Sequence, residues 1–138
     1  MNANTIYRVL IVDDDEDARI LLMRALSKSD LALEVAAAAD GVQAMEVVAG
    51  APPHVVITDI MMPRMNGFDL CAALRADPAT ATIPIIMVTA LEDDRDRQRG
   101  FAVGADEYLT KPFNWGILTE RLAELLDAVY GTPDKGSD

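Results

Sequence analysis

Residues 8–26 read RVLIVDDDEDARILLMRAL, and the succession of residue types in this stretch decides the fold. Val9–Val12 is a short, continuous apolar run rich in β-branched side chains, with no polar residue alternating through it. Such a run predicts a strand covered on both faces, as in a parallel sheet. It stops at Asp13-Asp14-Asp15, and a helical pattern follows in which Ala18, Leu21, Leu22, Ala25 and Leu26 share one face. The acids of Asp13–Asp17 stand at the start of that helix, where its positive dipole end favours negative charge. The unit is strand, acidic loop, helix.

The same unit recurs outward along the chain. Val55–Ile57 runs into Thr58-Asp59 and Ile85–Val88 runs into Thr89, while Leu33–Ala37 and Glu107–Leu109 are weaker strands. A second helix is expected over about residues 42–49, with Val42, Met45, Val48 and Ala49 inward. A third follows Asn66-Gly67, with Phe68, Cys71 and Leu74 inward. The fourth, about 94–103, is short and polar, with Gly104 placed to cap it. The last carries Leu118, Leu122, Leu125, Leu126 and Val129 on one stripe, with Trp115 expected to anchor it. Five βα units in a row predict an α/β fold: a doubly wound (βα)5 three-layer sandwich with a five-stranded parallel sheet and right-handed crossovers. Residues 1–7 read as an N-terminal extension, 8–130 as the domain, and 131–138 (GTPDKGSD) as a polar tail expected to be disordered.

Composition narrows the function. The 138 residues suit one core and leave no room for a second domain, and 51% are hydrophobic. Twenty-three acidic against 12 basic residues give a net charge of −11. That balance argues against direct nucleic-acid binding and against docking on anionic membranes, both of which need a cationic surface. No apolar run approaches the ~20 residues of a membrane span, and residues 1–7 lack the pattern of a signal peptide. With one cysteine, Cys71, an internal disulfide is excluded, and a reducing cytoplasmic setting is expected.

Ligands of open α/β sheets bind beyond the carboxyl ends of the strands. Here those ends carry Asp13-Asp14, Asp59, Thr89 and Lys111, so that three carboxylates, a hydroxyl and an ammonium meet at one rim. Strand ends are also simply where polar residues resume, but that accounts poorly for the whole set. Packed carboxylates repel one another, and a hard divalent cation such as Mg²⁺, held by oxygen ligands, relieves the repulsion. Lys111 supplies a compact positive charge for a phosphoryl group, and the following Pro112 admits a cis bond there. A carboxylate can itself be the nucleophile, forming an aspartyl phosphate.

The stretches VLIVDDDEDAR, VVITDIMMPRMNGFDL, PIIMVTA and GADEYLTKPF, taken together and in this order, resemble the receiver domains of bacterial two-component response regulators. The likeness runs from about Arg8 to Val129. It implies a flavodoxin-like sheet of order 2-1-3-4-5 and phosphorylation of Asp59 by a histidine kinase or phosphotransfer protein in a Mg²⁺-dependent reaction. By position, Asp14 would bind Mg²⁺ directly and Asp13 largely through water, with Asp59 and the Met61 carbonyl completing the metal ligands. Thr89 would hydrogen-bond the phosphoryl group, Lys111 would pair with it, and Tyr108 would be the switching aromatic. Pro63 and Gly67 match the loop after the acceptor. The resemblance further implies a signalling domain rather than an enzyme acting on other substrates. It would pass its state through the face of helix 4, strand 5 and helix 5 to an output protein or domain, with a phosphorylation-dependent homodimer as one form.

A haloacid-dehalogenase-type phosphatase is the rival enzyme, since Asp13-Asp14-Asp15 offers its Asp-x-Asp pattern. Asp17 stands where that family expects Thr or Val, and no later acidic pair follows Lys111. A metal-free interaction module and a flavin protein of similar topology also compete; a phosphate-binding loop for a flavin is missing. Among single residues, Tyr108 in a terminal strand also fits plain packing, and His54 and Cys71 read as structural.

Overall fold

The apolar runs form one five-stranded, all-parallel sheet whose strands are β1 (Tyr7–Val12), β2 (Leu33–Ala38), β3 (Val55–Thr58), β4 (Ile85–Thr89) and β5 (Glu107–Thr110). Their spatial order is β2-β1-β3-β4-β5, the expected one. Between them run α1 (Glu16–Ser27), α2 (Gly41–Gly50), α3 (Gly67–Ala76), α4 (Asp94–Ala102) and α5 (Trp115–Tyr130). The structure, a computed structural model, describes residues 5–131. The expected disorder of 131–138 falls on residues that, apart from Gly131, lie outside that range. β1 opens at Tyr7, a buried residue, so the sheet takes in one residue of the expected N-terminal extension.

Alternation along each strand divides the core in two. Tyr7, Val9, Ile11, Val55, Ile57, Ile86 and Val88 face α1 and α5, where Leu22, Leu26, Leu118, Leu122 and Leu126 close over them. Leu10, Val12, Val56, Ile85 and Met87 face the other way, toward Ala44, Val48, Phe68, Cys71 and Leu74 of α2 and α3. Both sheet faces are dry, which is why the inner strands read as unbroken apolar runs.

The helical stripes are narrower than expected. α1 buries Leu22 and Leu26 but leaves Leu21 55% exposed; α5 buries Leu118, Leu122 and Leu126 but leaves Val129 46% exposed. Leu125 is half-buried, as are Val42 and Met45 of α2, and Ala49 faces solvent. A helix lying on a sheet offers a single i, i+4 row to it, so residues one step round the helix stay at the margin. Trp115 opens α5, 40% exposed and edge-on to Phe113 with ring centroids 4.8 Å apart. Each helix starts on the side chain of an Asp or Asn that accepts a backbone N–H of its first turn: Asp15, Asp40, Asn66, Asp93 and Asn114. Gly104, at φ +113°, ends the α4 segment in a conformation that favours glycine. Among the described residues no helix is long and apolar enough to cross a membrane.

Candidate functional site

Register places the reactive side chains. Val12 pairs with Thr58, so the next residues, Asp13 and Asp59, leave the sheet side by side; the Asp59 N–H donates to the Val12 carbonyl at 2.8 Å. Thr89 pairs with Thr110, so Lys111 follows directly, its N–H donating to the Thr89 carbonyl at 2.7 Å. The Lys111–Pro112 bond is cis.

Asp13, Asp14 and Asp59 each bring one carboxylate oxygen to within 4.8 Å of the others. Asp13 is buried, Asp59 half-buried and Asp14 exposed. The Lys111 ammonium bridges two of them, lying 3.0 Å from Asp13 Oδ2 and 3.3 Å from Asp59 Oδ2. Burial opposes the charge on Lys111. The hydrogen bond to Asp13 and the charges of Asp59 and Asp13 outweigh that and hold its pKa above the ordinary lysine value. Asp13 Oδ1 accepts the Asp15 N–H at 2.9 Å, and Asp59 Oδ1 accepts the Ile60 N–H at 2.6 Å. Both carboxylates are therefore oriented from two sides, and Asp13 and Asp59 share one ammonium. The donor set is oxygen-only, strongly negative and open to solvent at Asp14, which fits a hard divalent cation.

The loop from β3 to α3 is held close by two devices, Gly67, which the sequence reading places in this loop, and an Arg64–Asp40 pair that it missed. Gly67 lies so near the acceptor that a Cβ there would run into the Asp59 carbonyl and come within 2.8 Å of Ile60 Cα; its N–H donates to the Ile60 carbonyl at 2.9 Å. Arg64, at φ +65°, pairs through its guanidinium with Asp40 at 2.7 Å. The Gln43 N–H, aided by Arg64, outweighs burial and holds the Asp40 carboxyl below its usual range. Nothing local in the sequence marks the Arg64–Asp40 pair, since its members stand 24 residues apart.

Thr89 is fully buried, and its hydroxyl oxygen accepts the Leu91 N–H at 3.3 Å. The Tyr108 hydroxyl donates to the Leu91 carbonyl at 2.8 Å. The two expected switch residues thus meet at one backbone residue, Leu91, rather than at the carboxylates. Tyr108 is itself buried, and burial pushes its hydroxyl pKa up. Beside the acids lies an open cleft of about 570 Å³ whose lining includes Asp14, Met61, Leu91 and Arg99. The Met61 side chain is 61% exposed. His54 and Cys71 are structural, as expected. His54 Nδ1 accepts the Arg8 N–H at 2.8 Å, and Cys71 donates to the Val103 carbonyl, its thiol pushed up to about 11 chiefly by burial.

The sequence profile of the response regulator receiver domain matches residues 9–123. The response regulator MprA of Mycobacterium sp. (strain KMS) is 39% identical over 131 residues, which is 95% of this chain and 54% of that protein. The chain thus spans about half the length of the curated relatives it matches. Among solved structures, the receiver domain of a signal transduction histidine kinase from Syntrophus aciditrophicus aligns with a TM-score of 0.84. It is 32% identical, over 91% of this chain and 94% of that one. The chemotaxis response regulator CheY4 of Vibrio cholerae gives 0.80 at 36% identity, over 88% of this chain and 100% of that one. With sheet order, strand-end acids and sequence in agreement over nearly the whole chain, this protein belongs to the response regulator receiver domains of two-component signalling systems.

Proposed function

We propose that Asp59 accepts a phosphoryl group from the phosphohistidine of a histidine kinase or phosphotransfer protein, with Mg²⁺ as the required ion. The observation that carries this reading is the convergence of Asp13, Asp14 and Asp59, two of which, Asp13 and Asp59, pair with the Lys111 ammonium. Asp13, Asp14, Asp59 and the Met61 carbonyl would hold Mg²⁺, which when bound neutralises the carboxylates and screens the incoming phosphoryl oxygens.

The chain's own groups do the rest. An Asp59 carboxylate oxygen attacks phosphorus; the phosphorus–nitrogen bond of the donor breaks, and the electron pair leaves with the imidazole. The Ile60 N–H on Oδ1 fixes the plane of that carboxylate. Lys111 exchanges part of its bond to Asp59 for the phosphoryl group, so the ammonium is already partly desolvated and in place. Thr89 accepts from Leu91, which leaves its own hydroxyl proton available to donate to the phosphoryl group. Any shift of Thr89 then reaches Tyr108 through the Leu91 peptide and alters the face of α4, β5 and α5. That face would engage an output protein or domain, a homodimer formed on phosphorylation being one form. The phosphodonor would dock on Leu21, Phe113 and Trp115, which line one cleft with Lys111 and stand exposed or half-buried. The net charge of −11 argues against direct nucleic-acid contact by this domain. Turnover is limited to the domain's own phosphorylation and slow dephosphorylation, in a cytoplasmic setting.

The test is labelling from a phosphohistidine donor in Mg²⁺ and in excess chelator. Labelling in Mg²⁺ that stops on chelation is expected; equal labelling in both would overturn the metal assignment.

A further inference from the structure

The Tyr108 ring occupies a pocket whose wall is an absent side chain. Gly100, in the second turn of α4, is buried, and a Cβ there would lie 3.0 Å from Tyr108 Cδ2, 3.2 Å from Cε2 and 3.0 Å from Met87 Sδ. Carbon atoms in ordinary contact lie ~3.5–4.0 Å apart, so a methyl group at Gly100 requires the ring and the thioether to give by a few tenths of an ångström. Met87 is fully buried in the sheet and has little room. The ring cannot slide along its plane without stretching the 2.8 Å hydrogen bond from its hydroxyl to the Leu91 carbonyl. The ring can yield by tilting away from α4, which loosens its inward seat. Arg97, one turn earlier on α4, sets its guanidinium 5.4 Å from the Tyr108 ring centroid and 5.9 Å from that of Phe101. It forms a cationic lid over the buried ring. A glycine inside a helix weakens it relative to alanine, so the gap in α4 has a local cost that the seated ring offsets.

We infer that Gly100 is the positioning residue that sets how far Tyr108 occupies its inward pocket, with Arg97 as a weaker second determinant. The effect on signalling rests on the proposed switch role of Tyr108, whereas the packing relation does not. Gly100 touches none of the carboxylates, so Asp59 chemistry and the inward seat of Tyr108 are separable.

Nitration of the three tyrosines, mapped by peptide mass, tests it, with Tyr7 and Tyr130 as internal references. Gly100→Ala should raise the Tyr108 nitration rate by about fivefold or more and leave Tyr7, Tyr130 and Asp59 labelling within about twofold; Arg97→Gln should give about twofold at Tyr108. A folded Gly100→Ala variant with unchanged Tyr108 nitration would overturn the inference, because α4 rather than the ring would then have moved. If Gly100→Ala fails to fold, the pair Gly100→Ala with Tyr108→Ala decides. Recovered folding supports the contact, and continued failure places the clash elsewhere and overturns it. Absence of Asp59 labelling in the unaltered protein would defeat the phosphorylation reading and leave the nitration comparison intact.

Discussion

Replacing Lys111 by methionine keeps the length and apolar stem of the side chain and removes the one ammonium among three carboxylates. Its Nζ lies 3.0 Å from Asp13 Oδ2 and 3.3 Å from Asp59 Oδ2. At an effective dielectric constant of 20, each attraction is roughly 5 kcal/mol before desolvation is subtracted. Removing one partner of a fully buried pair costs about 3–5 kcal/mol net, because the other charge is left stranded. Asp13 is stranded in this way, its side chain 3% exposed, but that of Lys111 is 29% exposed and water screens part of the interaction. We therefore expect Lys111→Met to lose about 2 kcal/mol in chelator, a fall of about 1–2 M in the urea midpoint with an unchanged slope. In saturating Mg²⁺ the deficit should shrink to under ~1 kcal/mol, since a divalent ion supplies the missing charge, and Mg²⁺ should bind the variant about tenfold tighter. The assay is urea unfolding with and without Mg²⁺, beside a Mg²⁺ titration followed by Trp115 fluorescence. Equal deficits in both conditions would refute the idea that the ammonium and the metal compensate the same carboxylates.

Gly67→Ala should destabilise by about 2–4 kcal/mol in chemical denaturation and slow Asp59 labelling, because the added methyl overpacks the Asp59–Ile60 backbone and breaks the Gly67–Ile60 hydrogen bond. His54 has its pKa lowered by burial and, secondarily, by Arg8, and its Nδ1 accepts a hydrogen bond that the protonated ring cannot accept. A depressed imidazole contributes fully above its unfolded pKa of about 6.5, and that contribution is lost as the pH falls below it. The thermal midpoint of the protein should therefore drop more between pH 7.5 and 5.5 than that of His54→Gln, and parallel drops would exclude the role. Met61 and Leu91, apolar and lining the cleft beside the acids, offer no group to orient an attacking water. Met61→Asn with Leu91→Glu should speed loss of the phosphoryl group by ~10-fold, or ~1.4 kcal/mol in the barrier, measured as decay after donor removal.

What the sequence made legible was whatever depends on short spacing. Val9–Val12 followed by Asp13, and Val55–Ile57 followed by Thr58-Asp59, announce strand, edge and acid within a few residues, and the parallel register then aligns them. The helical stripes were read too wide, at Leu21, Ala49 and Val129, because periodicity alone does not say how much of a helix the sheet covers. Contacts between distant residues left no pattern to read. Arg64 reaches Asp40 across 24 positions, and Arg75 donates to the carbonyls of Ala81, Ile83 and Gly104 and to Asp106, tying two loops together. The link from Thr89 to Tyr108 likewise runs through the Leu91 backbone, which any residue type but proline supplies at that position.

The central claim is that Asp59 is the phosphoryl acceptor, and intact-mass measurement after incubation with Mg²⁺ and acetyl phosphate tests it most directly. The protein should gain the mass of one phosphoryl group, and Asp59→Asn should gain none while keeping the fold. Undiminished labelling of Asp59→Asn would contradict the account.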